Sequence, residues 1–160
     1  MTLWIFLVGV PAMLLCLVVQ TIVTYWCVRH YVRHSMRPDA RRGLLRGVRP
    51  LAVAMLTMML GNLLQIGLWG ALFVALGEFD LFLEAIYHSA VNFSSLGYGD
   101  VVMSKDWKLL GPLEAVNGVL MLGMTAAALM AILQHMIKTH QEELFGVQAT
   151  SRSGEDAAVD

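Results

Sequence analysis

The sequence has little charge. Asp, Glu, Lys and Arg together make up 14% of its 160 residues, against about 25% in ordinary soluble domains. Hydrophobic residues make up 58%, and the mean hydropathy is +0.65. A soluble domain of this size would have too few polar side chains to cover its surface. These values exclude a soluble enzyme and a disordered chain, and they indicate a membrane protein.

Cysteine and catalytic patterns are also scarce. Cys16 and Cys27 are the two cysteines of the chain, and both fall in one apolar stretch where they form neither a disulfide framework nor a metal site. The sequence has no Gly-rich phosphate loop and no Ser/His/Asp or Cys/His set at catalytic spacing. We therefore predict a protein that is not an enzyme and has no cofactor. Its few basic residues lie mostly in one block, which argues against nucleic-acid binding.

Three stretches contain no Asp, Glu, Lys or Arg at all: 1–28, 50–77 and 115–137. Each is longer than the roughly 20 apolar residues that cross the hydrocarbon core as a helix. The sequence therefore predicts three transmembrane helices. The first stretch could be mistaken for a signal peptide, but it begins without a basic residue and stays apolar through Val28.

The charged residues between the spans predict the orientation. Seven arginines and one aspartate lie within 29–49, so the positive-inside rule makes this loop cytoplasmic and brings it to anionic lipid headgroups. The N-terminus is then outside the cell membrane and the C-terminus is cytoplasmic. Four of the arginines recur every four residues, but they lie in a polar loop, which favours a topology anchor over a voltage sensor. The polar tail 139–160 is predicted to be disordered.

The external segment between the second and third spans reads FDLFLEAIYHSAVNFSSLGYGD over residues 79–100. Asp80 can cap a helix over 81–94, and about 21 Å of helix is too short to span a membrane and is typical of a re-entrant segment. Gly97 and Gly99 favour an irregular backbone after it. Such backbone at membrane depth must be buried in protein or line a water-filled path. The alternative is an ordinary external loop with a tight turn at Gly-Tyr-Gly.

Residues 85–100 resemble the pore loop of the potassium-channel superfamily, whose filter is usually T-V-G-Y-G-D. Residues 50–138 resemble the two-helix pore module of that family, to which the first helix is an addition. The implied segments are an outer helix at 50–77, a pore helix at 81–94, a filter at 95–100 and an inner helix at 113–138. The implied fold is an all-α membrane protein with three transmembrane helices and a re-entrant pore helix. One pore loop cannot close a ring, so we expect a homotetramer.

The resemblance implies that backbone carbonyls of the filter bind K⁺. The filter residues are Ser95, Leu96, Gly97, Tyr98 and Gly99, and Asp100 lies at the outer mouth. Carbonyls can face one axis only if alternate residues take opposite-handed conformations, and glycine adopts positive φ at little cost. Ser95 stands in place of the usual Thr and Leu96 in place of Val. At Ser95 we expect a looser innermost ion site, and at Leu96 we expect tight packing behind the filter.

Further roles are expected, some from the resemblance and some from the charged and titratable residues. Tyr87 and His88 are expected to brace the filter. The expected cavity or hinge positions are Asn117, Gly118, Gly123 and Thr125. Six acidic residues of the outer segment, against two lysines, are expected to concentrate cations at the entrance: Glu78, Asp80, Glu84, Asp100, Asp106 and Glu114. His135 and His140 at the inner helix end are either a pH-sensitive gate or part of a solvated helix end.

The sequence thus predicts a passive cation channel that conducts K⁺. The alternative is a non-conducting or weakly selective membrane subunit that uses the pore fold for assembly or regulation. The departures at Ser95 and Leu96 are the features that support the alternative.

Overall fold

The computed structural model describes residues 2–35 and 44–156, and the side chains of 3–33, 49–138 and 141. Four helices follow one another along the chain: α1 (Thr2–Ser35), α2 (Leu44–Ala75), α3 (Phe82–Phe93) and α4 (Leu110–Asp156). The described residues include no β-strand. The predicted all-α fold class is therefore confirmed.

Three of the helices contain a segment that is long and apolar enough to cross a membrane. These segments are Leu3–Arg33, Arg49–Ala75 and Leu110–Lys138, with 31, 27 and 29 residues. At about 1.5 Å per residue, each exceeds the roughly 30 Å of a hydrocarbon core. The protein is therefore a multi-pass membrane protein. The 12 residues of α3 are too few to span.

Helix ends differ from the predicted segments in two places. α1 continues to Ser35 and α2 begins at Leu44, so helix occupies much of the predicted basic loop 29–49, while 36–43 lie outside the described residues. α4 begins at Leu110 and stays helical to Asp156, although a disordered tail was predicted from 139. Gln, Glu and Leu just after 140 are good helix formers, and polar composition does not separate a disordered segment from a solvated helix.

The three long helices pack on one another, and the short helix α3 packs between α2 and α4. α1 lies against α2 and α4, and α3 lies against the same two helices. Contacts along the helices give their directions. Gly9 of α1 faces Leu113 near the start of α4, and Gly61 of α2 faces Val23 of α1. The Tyr31 ring meets the His135 ring edge-on at 5.9 Å. α1 and α4 therefore run in the same direction and α2 runs in the opposite one.

Buried apolar side chains form two clusters at different depths of the helix bundle. The cluster beside α3 contains Ile5, Cys16, Trp69, Phe73, Phe79, Ala85, Phe93, Met103, Leu110 and Met121. The other cluster contains Cys27, Tyr31, Ala54, Met58 and Ile132. The first cluster joins all four helices and the loops around α3, so it fixes the position of the short helix in the bundle.

α2 and α3 end with the same hydrogen-bond pattern. After α2, the Gly77 amide donates to Val74 O and the Glu78 amide to Phe73 O, with Gly77 at φ +75°. This is a Schellman motif, in which the first residue past the helix cap takes a left-handed conformation.

At the start of α3 the cap residue is Leu81, which makes no side-chain capping bond. The prediction that Asp80 caps this helix is therefore wrong.

Candidate pore loop

The segment after α3 has a backbone that alternates in handedness. Ser95, Gly97 and Gly99 have φ of 60°, 61° and 73°. The two glycines thus adopt the left-handed conformation that the sequence predicts. A Cβ atom at either glycine would meet no other atom within 4 Å, so the backbone conformation rather than space within the chain favours glycine there.

Ser95 was not expected to have a positive φ, and the end of α3 explains it. The Ser95 amide donates to Asn92 O at 2.8 Å and the Leu96 amide to Val91 O at 3.0 Å. These two bonds form a second Schellman motif, with Ser95 at the position that glycine usually takes. Ser95, the first residue of the predicted filter, is therefore also the residue of left-handed conformation that terminates α3.

The carbonyls of the predicted filter are left without backbone partners in the part of the chain that the structure describes. None of the backbone hydrogen bonds outside the helices ends on a carbonyl of 95–98. Two side chains of this segment are mostly exposed on the single chain, with Leu96 at 60% and Tyr98 at 67%. The expected tight packing behind the filter at Leu96 is therefore absent within one chain.

Tyr87 and His88 contact Asp100 and Val101, at the end of the predicted filter. The Tyr87 hydroxyl donates to Asp100 Oδ2 at 2.6 Å, and His88 Nδ1 lies 2.8 Å from Val101 O. A carbonyl only accepts, so His88 carries its proton on Nδ1, and its Nε2 accepts from the Asn92 amide at 2.8 Å. α3 thus holds Asp100 and Val101 by two side-chain bonds.

These contacts shift the protonation equilibria of Asp100, Tyr87 and His88. The bond from Tyr87 holds the pKa of Asp100 below its usual value, and the same bond raises the pKa of Tyr87. Burial lowers the pKa of His88, whose ring lies 5.6 Å from the Phe73 ring and 5.2 Å from the Phe79 ring. His88 is therefore held neutral between aromatic rings, and Asp100 is held as a carboxylate.

The loop that follows the filter is tied back to the end of α2. Glu78 accepts from the Ser104 amide at 2.6 Å and from the Ser104 hydroxyl at 2.7 Å. This pair of bonds fixes the loop that contains Ser104 to the end of α2. Sequence reasoning missed both this attachment and the part played by Asn92. The i, i+4 spacing of His88 and Asn92 on one helix is the signal that could have identified the contact between them.

The comparisons with known proteins agree with this geometry. Residues 52–135, more than half of the chain, match a protein family described as Ion channel. The chain belongs to this ion-channel family. The match covers most of α2, all of α3, the filter segment and α4 as far as His135, and it leaves out α1. The protein is therefore a channel with an additional N-terminal helix, and not an enzyme. Comparison with curated proteins and with solved structures gives no significant match.

Gly118 of the channel lies at the closest approach of two helices. A Cβ atom at this position would fall 2.0 Å from Phe93 O and 2.7 Å from the Phe93 carbonyl carbon. At Gly123 a Cβ atom would meet nothing within 4 Å. The two glycines were predicted together as cavity or hinge residues, but their surroundings differ. Gly118 lets the carboxyl end of α3 rest on α4.

Asn117 and Thr125 were expected to line the cavity of the channel, and the structure places both against other helices. Thr125 accepts from Gln20 of α1 at 2.9 Å and from Asn62 of α2 at 3.2 Å. Asn117 is 1% exposed, and its side chain lies beside Cys16 of α1. α1, which was not considered in this expectation, packs on this side of α4 and contacts both polar side chains.

The remaining predicted residues are placed as follows. The His135 ring contacts the Tyr31 ring of α1. The side chain of His140 lies outside the described residues. Glu114, counted among the acidic residues of the outer entrance, is 0% exposed. It therefore adds no charge to the surface of the mouth, which is a correction to the predicted entrance field.

Proposed function

We propose that four copies of this chain form a passive, potassium-selective channel whose filter is the segment 95–100. One observation carries the proposal: φ is positive at every second residue, Ser95, Gly97 and Gly99. Alternating handedness turns successive carbonyls towards one side, and four such strands around an axis build rings of oxygens that replace the water shell of K⁺. The carbonyls of 95–98, which accept no backbone hydrogen bond among the described residues, support the same proposal.

The exposed side chains of the segment support assembly from several copies. Leu96 and Tyr98 are large and mostly exposed, and they lie beside the carbonyls that would face the ion. In a ring of four chains each of these side chains can pack on the neighbouring copy. A single loop offers too few oxygens to enclose an ion, so a homotetramer of twelve spans is the assembly that we propose.

We further propose that the N-terminus and the filter mouth lie outside the cell and that the C-terminus is cytoplasmic. The basic residues of 29–49 then contact anionic headgroups. Single-cysteine variants test this orientation in a background without Cys16 and Cys27. An impermeant maleimide added to intact cells should label Asp106→Cys and spare Arg33→Cys until the cells are opened. The reverse pattern contradicts the orientation.

Flux through liposomes tests conduction and selectivity. The purified full-length protein should admit K⁺ and exclude Na⁺. Gly97→Ala should abolish the flux, since alanine resists φ near +61°. Gly67→Ala is the matched control, because a Cβ at Gly67 also meets nothing within 4 Å and that glycine lies within a helix. Absence of flux in the parent supports the non-conducting subunit, and equal K⁺ and Na⁺ flux contradicts selectivity.

A further inference from the structure

Glu114 is an acidic residue buried inside a membrane span. It is the one acidic residue of Leu110–Lys138, and it is 0% exposed. Its polar neighbours are the Ser89 hydroxyl and the Asn92 amide of α3, with no basic side chain among them. A buried carboxylate without a cation is costly, whereas a neutral carboxylic acid is tolerated far better.

The hydrogen bonds around Ser89 require one more proton than Ser89 can supply. Ser89 Oγ lies 2.9 Å from Ile66 O on α2 and 2.5 Å from Glu114 Oε1 on α4. A hydroxyl has one hydrogen, and the Ile66 carbonyl can only accept. If Ser89 donates to Ile66, the contact with Glu114 is a hydrogen bond only when Glu114 donates its own proton.

The second carboxyl oxygen also favours the protonated form of Glu114. Glu114 Oε2 is buried and has no hydrogen-bond partner among the described residues. A carboxylate spreads its charge over both oxygens, so in an ionised Glu114 the buried Oε2 would carry charge without a hydrogen bond of normal geometry. In a carboxylic acid the same atom is an ordinary carbonyl oxygen, which is less costly to leave unpaired.

Glu114 also connects to the outer end of the filter. Asn92 lies beside the Glu114 carboxyl and donates to His88, and His88 bonds Val101 O immediately after the filter. One line of contacts therefore runs from α2 through Ser89 and Glu114, and on through α3 to the mouth. A change at Glu114 reaches the filter through the position of α3.

We propose that Glu114 is a protonated carboxylic acid that donates to Ser89 and so positions the pore helix between α2 and α4. It is a positioning residue and does not touch the ion. The groups that face it are Ser89 and Asn92 on α3, with His88 beyond Asn92, and Cys16 on α1, whose thiol lies beside Asn117 of α4 and Trp69 of α2. On α2 the Ile66 carbonyl, which Ser89 contacts, does not titrate. The influence on flux rests on the proposed channel function, but the protonation state does not.

Infrared spectroscopy of the reconstituted full-length protein tests the protonation state directly. At neutral pH the parent should show the carbonyl stretch of a protonated carboxylic acid. Glu114→Gln should remove this band, whereas Glu84→Gln should keep it, since Glu84 is an exposed carboxyl on α3, the helix that Glu114 contacts. A spectrum that is the same in the parent and Glu114→Gln overturns the proposal, whether or not the protein conducts.

Ion flux tests the positioning role. Glu114→Gln retains a donor for Ser89 and should keep most of the flux, whereas Glu114→Leu should lose about tenfold, as expected when a buried polar group loses its partner. Ser89→Ala, a smaller change, should show a comparable loss. At alkaline pH the parent should lose flux as Glu114 ionises, and Glu114→Gln, which retains Tyr87 and Cys16, should lose less. Equal flux in the Gln and Leu variants at all pH values overturns the positioning role.

Discussion

Gly118 of α4 lies directly under the carbonyl group of Phe93, the last residue of α3, and a Cβ atom there would be 2.0 Å from the carbonyl oxygen. No van der Waals contact is that short, and the obstructing atom is backbone, so a rotamer change cannot relieve it. The filter segment begins two residues after Phe93. Gly118 therefore determines how closely the end of α3, and the predicted filter that follows it, lies to α4.

Gly118→Ala should push α3 away from α4 and destabilise the fold by about 3 kcal/mol, the upper end of overpacking effects. Gly123→Ala is the matched control on the same helix, since nothing lies within 4 Å of its Cβ position. That variant should be neutral or more stable by up to about 1 kcal/mol from helix propensity. Free energies of unfolding in detergent micelles measure both. Similar values for the two variants contradict the contact.

Tyr87→Phe should weaken the attachment of Asp100 to α3 in a pH-dependent way. The bond with Tyr87 lowers the pKa of Asp100, so its contribution is present above the ordinary Asp pKa and is lost as pH falls through the lowered value. It also raises the pKa of Tyr87, so the contribution is lost again as pH rises through that raised value. Between these limits the parent should melt at a higher temperature than the variant.

Melting curves of the parent and Tyr87→Phe from acid to alkaline pH measure this window. The difference between them should be constant near neutral pH and should shrink at both extremes. Tyr25→Phe serves as a control, because its hydroxyl accepts from Arg29 on its own helix, away from the mouth. A constant difference at every pH would mean that the hydroxyl stabilises the protein by another route.

How far the sequence predicts this structure depends on the range of the interactions involved. Three uncharged stretches predict three spans because the length of an apolar helix against a bilayer is a local property. The positive φ of Gly97 and Gly99 is predictable for the same reason. At Ser95 the residue type gives no such signal, because the bonds that terminate α3 set its φ.

The faces of α4 were harder to predict. Asn117, Thr125 and Glu114 were assigned to a cavity or to the entrance, yet all three are taken up by contacts with α1, α2 or α3. α1 lies outside the part of the chain that resembles a known pore module. A sequence pattern shows that a helix is apolar on most sides, but which neighbour covers each polar side chain depends on how the helices assemble.

A double-mutant cycle at Gln20 and Gln65 should show that α1 is coupled to the pore module. Gln65 Nε2 donates to Gln20 Oε1 at 2.7 Å, and Gln20 Nε2 donates to Thr125 at 2.9 Å. Changing both glutamines to leucine should cost less than the sum of the single changes, with a coupling of about 0.6–1.7 kcal/mol. Gln20→Leu with Thr57→Val is the control pair, since Thr57 bonds its own helix at Val53 O, and that pair should be additive. Additivity at both pairs contradicts the coupling.

Ser95 and its neighbour Ser94 differ in backbone handedness, which separates conformational effects from chemical ones. Ser95 has φ of 60° and Ser94 has φ of −79°. Ser95→Gly should stabilise the protein by about 1 kcal/mol, and Ser95→Thr should destabilise it by at least as much, because a β-branched residue resists positive φ. At Ser94 the order should invert: Gly loses stability, and Thr keeps the hydroxyl bond to Ala90 O at 2.6 Å. Unfolding free energies of the four variants measure this. A Ser95→Thr variant as stable as the parent would show that residue 95 does not hold this conformation in the assembled channel.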